Sequence, residues 1–253
     1  MIRASFTVAM AIIAGIAAAS AAEIRVISAN GMREVIAETK DKFEQNTGHR
    51  LMVTVIETGE IKKRVLAGEK YDLIIVPSTT AAEFENMGNV MSGTATQLIR
   101  VSFGLAVPTD GPRPDVSTPE ALQRTLLAAR TVLITDPATG GISGVHFMDV
   151  LGKLGIVEDM KDKLVPQPGG SFHARRVVRG EADLAVQAEH EIRCTKGATF
   201  LAYPAIFQRT VLFVGGLGAS ATGAKATAAT AYLAYLTSAD TANTYSAHCL
   251  TRG

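Results

Sequence analysis

Glu23-Ile24-Arg25-Val26-Ile27-Ser28, Leu51-Met52-Val53-Thr54-Val55-Ile56 and Tyr71-Asp72-Leu73-Ile74-Ile75-Val76 are three short apolar runs separated by two helical patterns. The first run alternates, as a strand does. Ala29-Asn30-Gly31 then reads as a turn. Met32, Val35, Ile36, Thr39 and Phe43 recur at helical spacing, and Gly48 stops that helix. Thr58-Gly59 opens a second helix carrying Ile61, Val65 and Leu66, closed by Gly68. The third run is nearly continuous and ends at Pro77, as in a parallel sheet covered on both faces. The order β-α-β-α-β begins a doubly wound α/β layer.

The pattern shifts near residue 100. Arg100 to Val107 reads as a strand, followed by a Pro-rich loop from Pro108 to Pro119. A helix over Leu122–Ala129 and a strand over Thr131–Thr135 lead into the Gly-rich loop Asp136–Gly144. The next helix carries Val145, Met148, Leu151 and Leu154 and ends at Gly155. Arg175–Arg179 is a short helix and Leu184–Val186 a strand. Leu201–Gln208 and Thr210–Val214 read as strands, and Ala224–Leu236 as an Ala-rich helix. The crossover near 100 and the return near 205 predict two α/β lobes, each a doubly wound sheet, with a ligand cleft between them. Lobe 1 takes residues 23–100 and 206–253, and lobe 2 residues 101–205.

Residues 1–22 are read as a secretory signal peptide. Arg3 precedes the apolar run Phe6–Ala19, and Ala19-Ser20-Ala21-Ala22 offers cleavage after Ala21 or Ala22. An uncleaved anchor is the alternative, disfavoured because the run is short. The expected location is the periplasm. Two cysteines, Cys194 and Cys249, in an exported chain suggest one disulfide; two unrelated buried thiols are the alternative.

Composition narrows the function. Hydrophobic residues are 47% and charged residues 19%, ordinary for a globular chain. Lys+Arg is 25 and Asp+Glu 24, so no basic field points to nucleic acid. Trp is absent, which argues against a stacking surface. His49, His146, His173, His190 and His248 are scattered, without metal-ligand spacing, so neither metal nor cofactor is expected. A monomer is expected.

Four turns carry the chemistry. Asn30-Gly31, Thr58-Gly59, Ser143-Gly144 and Gly169-Gly170-Ser171 each precede a helix. Glycine lets a ligand approach the backbone, and free N–H groups at a helix start favour an anion. Asn, Ser and Thr are also the ordinary caps of any helix. Four such turns in a two-lobe exported chain point to a small anion.

These features carry a resemblance. Val26–Ile36, Glu57–Gly68, Tyr71–Ile75, Asp136-Pro137 with Ser143-Gly144, Val177–Asp183 and the Ala-rich C-terminal helix make the chain similar to a type II periplasmic solute-binding protein. Within that class it resembles the molybdate-binding family of bacterial transport systems. The resemblance covers essentially the whole mature chain and implies an ABC transporter permease as partner. That family holds a tetrahedral oxyanion with two serine hydroxyls, backbone N–H groups and a tyrosine. Carried over, the first serine falls at Gly31, beside Asn30, and the second at Thr58. The backbone contacts fall near Gly141 or Ser143 and near Gly170 or Ser171, and the tyrosine at Gln187. Gly31 removes a donor and is expected to open space. Gln187 supplies an amide that both donates and accepts. The departures favour a carboxylate-bearing or larger anion over molybdate.

Glu57 and Glu60 flank Thr58 and are expected on the rim, away from an anion. Arg33 lies in a first helical turn, where a cation is unfavourable, and is expected to pair with an acid such as Glu34 or Glu57, or with a ligand carboxylate. His173, Arg175, Arg176 and Arg179 read as a solvated face. No GxSxG elbow or Walker loop is present, and Ser143 with His146 lacks a third orienting acid. One enzyme class shares the resemblance. Secreted aconitate isomerases look like molybdate-binding proteins, so an isomerase of a small unsaturated polycarboxylate is the alternative function. Its acid, base and cation could come from His146, His173, Glu60 and Arg33.

Overall fold

Strand β1 (Glu23–Ala29) starts with an exposed–buried alternation and becomes wholly buried from Val26 onward. A computed structural model describes residues 21–169 and 172–253; the first 20 residues of the expected signal peptide lie outside the described residues. The turn at Asn30–Met32 is a single 3₁₀ turn that runs directly into α1 (Arg33–Thr47). Helix α1 buries Val35, Ile36, Thr39 and Phe43. It ends at Gly48, whose φ of 74° needs glycine and whose N–H donates to the Glu44 carbonyl at 2.9 Å.

Strand β2 (Arg50–Ile56) pairs parallel with β1 from Glu23↔Arg50 to Ala29↔Ile56. Helix α2 (Thr58–Leu66) leads to β3 (Leu73–Pro77), fully buried and parallel to the other edge of β1. Helix α3 (Ser78–Asn86), which the sequence reading missed, then leads to the long strand β4 (Thr96–Pro108).

Beyond β4 come α4 (Pro119–Ala128), capped by the Thr118 hydroxyl, which accepts from the Ala121 N–H at 3.2 Å, and β5 (Val132–Thr135). A 3₁₀ turn over Pro137–Thr139 precedes α5 (Ile142–Leu154), which starts earlier than its apolar spacing suggested. The order continues with α6 (Val157–Met160), β6 (Leu164–Gln167), α7 (His173–Val178), β7 (Leu184–Ala188), α8 (Glu189–Arg193) and β8 (Ala198–Ala202). It closes with β9 (Thr210–Leu217), α9 (Gly223–Thr237), α10 (Ala242–Ala247) and β10 (Thr251–Arg252).

The strand expected over Leu201–Gln208 stops at Ala202. The Phe207 and Gln208 N–H groups both donate to the Pro204 carbonyl, at 2.8 and 3.0 Å, and fold the segment into a turn.

The two-lobe α/β architecture hangs on β4. Its first half, through Ser102, pairs antiparallel with β9, and Ile99 and Arg100 also pair with β10. From Phe103 it pairs antiparallel with β7, and from Gly104 with β8 as well. The strands run β2-β1-β3-β9-β4-β7-β5-β6, with β5 parallel to both β6 and β7. Helix α9 closes the first lobe: Tyr232 packs its ring 4.9 Å from Phe43, and its OH lies 3.2 Å from the Thr39 hydroxyl.

Cys194 and Cys249 form a disulfide with a Cα–Cα distance of 5.7 Å across 55 residues of chain. It joins the end of α8 to the tail between α10 and β10. Its removal in a Cys194→Ser, Cys249→Ser variant should cost about 4 kcal/mol of unfolding free energy in the chain-entropy description. Denaturant titration of the two proteins checks this; equal midpoints would refute it.

Candidate functional site

The carboxyl ends of β1, β2, β5 and β7 point into one crevice beside the place where β4 changes partners. A cavity of about 50 Å³ lies there, walled by Ala29, Val101, Phe103, Ile142 and Phe213. Asn30, Gly31, Thr58 and Ser143, four of the residues singled out in the sequence, bring their turns to it. Glu57, His190 and Glu191 line it too. An adjoining recess of about 210 Å³ shares Asn30, Gly31, His190 and Glu191 and adds Arg33, Arg175 and Phe172.

The two lobes touch across this crevice. A Cβ on Gly59, at the start of α2, would stand 2.6 Å from the Thr139 carbonyl oxygen and 2.7 Å from Gly140 Cα. The loop before α7 closes in as well: the Glu57 carboxyl occupies the place where a Cβ on Gly169 would stand.

Several polar atoms face the site without partners among the described residues. Thr58 Oγ1, Arg33 Nε and His190 Nδ1 are buried and form no hydrogen bond there. Buried donors and acceptors are normally satisfied, so each such atom marks a place where a ligand or water belongs.

Arg33 reaches Glu57 through an intermediary. Its Nη2 donates to Asn30 Oδ1 in a short hydrogen bond, and Asn30 Nδ2 donates to Glu57 Oε1 at 2.7 Å. Asn30 is suited to this because its amide accepts at one end and donates at the other. Glu57 is therefore inside the cavity, a correction to the rim position expected for it. Glu60 does face away and pairs with Arg64 at 3.1 Å.

Burial raises the Glu57 carboxyl above its ordinary range, while the Asn30 hydrogen bond and the Arg33 charge oppose the shift. Glu191 is pushed up to about 7, first by burial and then by the like charge of Glu57. Its Oε2 accepts from the Ala188 N–H at 3.2 Å and from Gln187 Nε2 at 3.3 Å. His190 is pushed down to about 4 by burial and is neutral at physiological pH.

The remaining predicted residues stand differently. Ser143 lines the cavity, but its hydroxyl donates to Thr135 Oγ1 at 3.0 Å. His146, which Ser143 does not reach, packs against the rings of Phe103 and Tyr203. Gly141 stands behind the site at the start of α5, its Cβ direction filled by the Thr135 methyl. Gln187 is buried, and its Oε1 accepts from the Ala174 N–H at 2.7 Å, capping α7 from within the protein. Ser171 lies outside the described residues. The room expected at Gly31 is not there, because Phe213 occupies it, with Cζ 3.0 Å from where a Cβ would stand. Arg176 and Arg179 both pair with Glu181 on the surface, as a solvated face should. His173 departs from that face and is buried.

His190 and Glu191 were missed as site residues. The strand before them was ended at Val186 instead of Ala188, so the turn from β7 into α8 went unread.

A family model of bacterial extracellular solute-binding proteins matches residues 24–248, and the chain belongs to that family. It is 26% identical over 212 residues to an aconitate isomerase of a Pseudomonas species, covering 80% of this chain and 78% of that one. It is 24% identical over 176 residues to the molybdate-binding protein ModA of Azotobacter vinelandii, covering 69% and 68%. The solved periplasmic molybdate-binding protein of Azotobacter vinelandii superposes with a TM-score of 0.67 at 17% identity, over 90% of this chain and 98% of that one. The sulfate-binding protein SubI of Mycobacterium tuberculosis also gives 0.67, at 14% identity, over 91% and 87%. The fold is that of type II periplasmic binding proteins of the molybdate-binding-like group.

Because the folded state holds a proton on Glu191 up to about pH 7 and the unfolded chain only to about 4.5, this group makes stability fall as pH rises between those values. Glu191→Gln removes the effect. The melting temperature of the variant relative to the parent should therefore climb from pH 4.5 to pH 8. A difference that stays flat over that range would refute the assignment.

Proposed function

We propose that this chain is a periplasmic binding protein that captures a small anion in the inter-lobe cleft and delivers it to an ABC transporter permease. Residues 23–100 with 206–253 form one jaw and residues 101–205 the other. The observation that carries the reading is the pair of buried, unpartnered donors, Thr58 Oγ1 and Arg33 Nε, in a cleft bordered by helix N-termini. Asn30, Gly31, Thr58 and Ser143 form the near wall. Gly141 and Gln187 support it from the second lobe, and Ser171 is kept in the proposed ligand set on the resemblance alone. The anion carries carboxylates, because Arg33 offers a planar fork suited to them and a compact, fully deprotonated oxyanion would meet the carboxyls of Glu57 and Glu191.

A second reading, an isomerase of a small unsaturated polycarboxylate, is favoured by one observation. Glu191, poised near neutrality, stands in the cleft beside neutral His190, and a proton shift needs such a group.

A thermal-shift screen of oxyanions and organic acids tests the first reading, and ultraviolet absorbance of cis- and trans-aconitate the second. Under the first, a carboxylate stabilises the protein one-to-one without being consumed. Thr58→Ala weakens that ligand by about 1–3 kcal/mol, since its hydroxyl meets charge in a dry cleft. Tight molybdate binding with no carboxylate response would refute the ligand class, and turnover of aconitate would replace the binding role with catalysis.

A further inference from the structure

We infer that the ligand of this cleft is a small hydroxycarboxylic acid, with a carboxylate on Arg33 and Thr58 and a neighbouring hydroxyl between Glu57 and Glu191. The inference rests on the anion-binding reading above and adds to it the functional group that the cleft selects.

The cavity offers two kinds of partner. Two donors stand without a hydrogen-bond partner among the described residues: Thr58 Oγ1 in the cavity, and Arg33 Nε in the adjoining recess that shares Asn30, Gly31 and Glu191 with it. On the other side are acceptors. Glu57 receives a bond from Asn30 at Oε1, and Glu191 receives two at Oε2. The second oxygen of each carboxyl accepts nothing from the described residues while its side chain lines the same cavity. A simple oxyanion answers only the first set and is repelled by the second. A ligand that answers both carries a negative group and, a few bonds away, a hydrogen-bond donor.

That donor could be a hydroxyl or an ammonium, and the charges around the pair favour the hydroxyl. Arg33 faces the pair from α1, and Arg175 lines the adjoining recess from α7. His190, beside Glu191 on α8, is neutral. Glu191 is half-protonated at neutral pH, so the two acids do not present the double negative charge that an ammonium would need. A hydroxyl both donates and accepts. It can give its hydrogen to the ionised acid and receive one from the protonated acid, which suits two carboxyls of which one keeps its proton. Glu34 borders the recess as well and is exposed, so water screens it.

Matched acids test this directly. Protein stripped of ligand by unfolding and refolding is titrated by calorimetry at pH 7 with succinate, malate and aspartate, which differ only by hydrogen, hydroxyl and ammonium on one carbon. Tricarballylate and citrate form a longer pair. In at least one pair the hydroxy acid should bind about tenfold or more tighter than its parent, and malate tighter than aspartate, because a site built around a hydroxyl is left with unpaired groups by an analogue lacking it. In Glu57→Gln and in Glu191→Gln the preference within the pair should fall below about threefold. Far-ultraviolet circular dichroism shows that each variant is folded, and either variant suffices if the other is not. Equal binding of hydroxy and parent acids overturns the inference and leaves the anion reading standing. So does binding of sulfate or molybdate with no carboxylate bound, and so does a preference for aspartate. Binding of no anion of any kind overturns the underlying reading itself.

Discussion

One strand holds the molecule together. Over its 13 residues β4 pairs on both edges and changes both partners near Ser102 and Phe103. Each lobe needs half of β4 to complete its sheet, so neither half can move off without losing ladder hydrogen bonds. The crevice lies beside that change of partners, with Val101 and Phe103 in its wall. Around it, β1, β2, β5 and β7 all end toward the crevice. This is the general place for sites in open α/β sheets, outside the carboxyl ends of the strands where connections diverge. The position of the site is thus a consequence of topology. Its chemistry depends on which residues follow each strand.

Those residues set an unusual electrostatic balance. The turns after β1, β2 and β5 bring helix N-termini, which favour negative charge. Glu57 and Glu191 bring negative charge of their own. The Arg33–Asn30–Glu57 chain offsets part of this within the protein, and burial keeps a proton on Glu191. At a separation of 4 Å and an effective dielectric of 20, two like charges repel by about 4 kcal/mol. A cleft built only to hold a dianion gains nothing from such neighbours. The two acids make sense where the bound molecule has hydrogens to give them.

Much of the fold was legible because it follows from local rules. The apolar runs of β1 to β3 and the helical spacing of α1 need no tertiary context, and Gly48 and Gly155 adopt the left-handed conformation their helix ends demand. The disulfide followed from a count of two. The turns at Asn30, Thr58 and Ser143 were recognisable as small polar residues after strands. What failed depended on long-range contacts. Glu57 points inward because Asn30, 27 positions away, donates to it. Gln187 turns its amide oxygen to the Ala174 N–H at the start of α7 and reaches the cavity through Glu191, to which its Nε2 donates, because a buried N–H left unpaired is costly. Phe213, from β9, fills the room at Gly31. None of these pairs is adjacent in the sequence, and no periodicity announces them.

The small size of the inner cavity has a further physical cause. Across the crevice, Gly59 meets Thr139 and Gly140 backbone to backbone, so the lobes approach as closely as two peptide chains can. Gly169 instead leaves room for side chains, those of Glu57 and Asn30. Side chains at these points would hold the jaws apart and admit water around the acids. Water would return Glu57 and Glu191 toward ordinary carboxylates and weaken every donor in the site, because hydrogen bonds and charges act more strongly where solvent is excluded. The disulfide between Cys194 and Cys249 borders the recess on the other side and ties the end of α8, just beyond Glu191, to the C-terminal tail. Close backbone contact at Gly59 and a covalent tie at the end of α8 therefore act on the same crevice from its two sides, and both limit how far water can enter around Glu57 and Glu191.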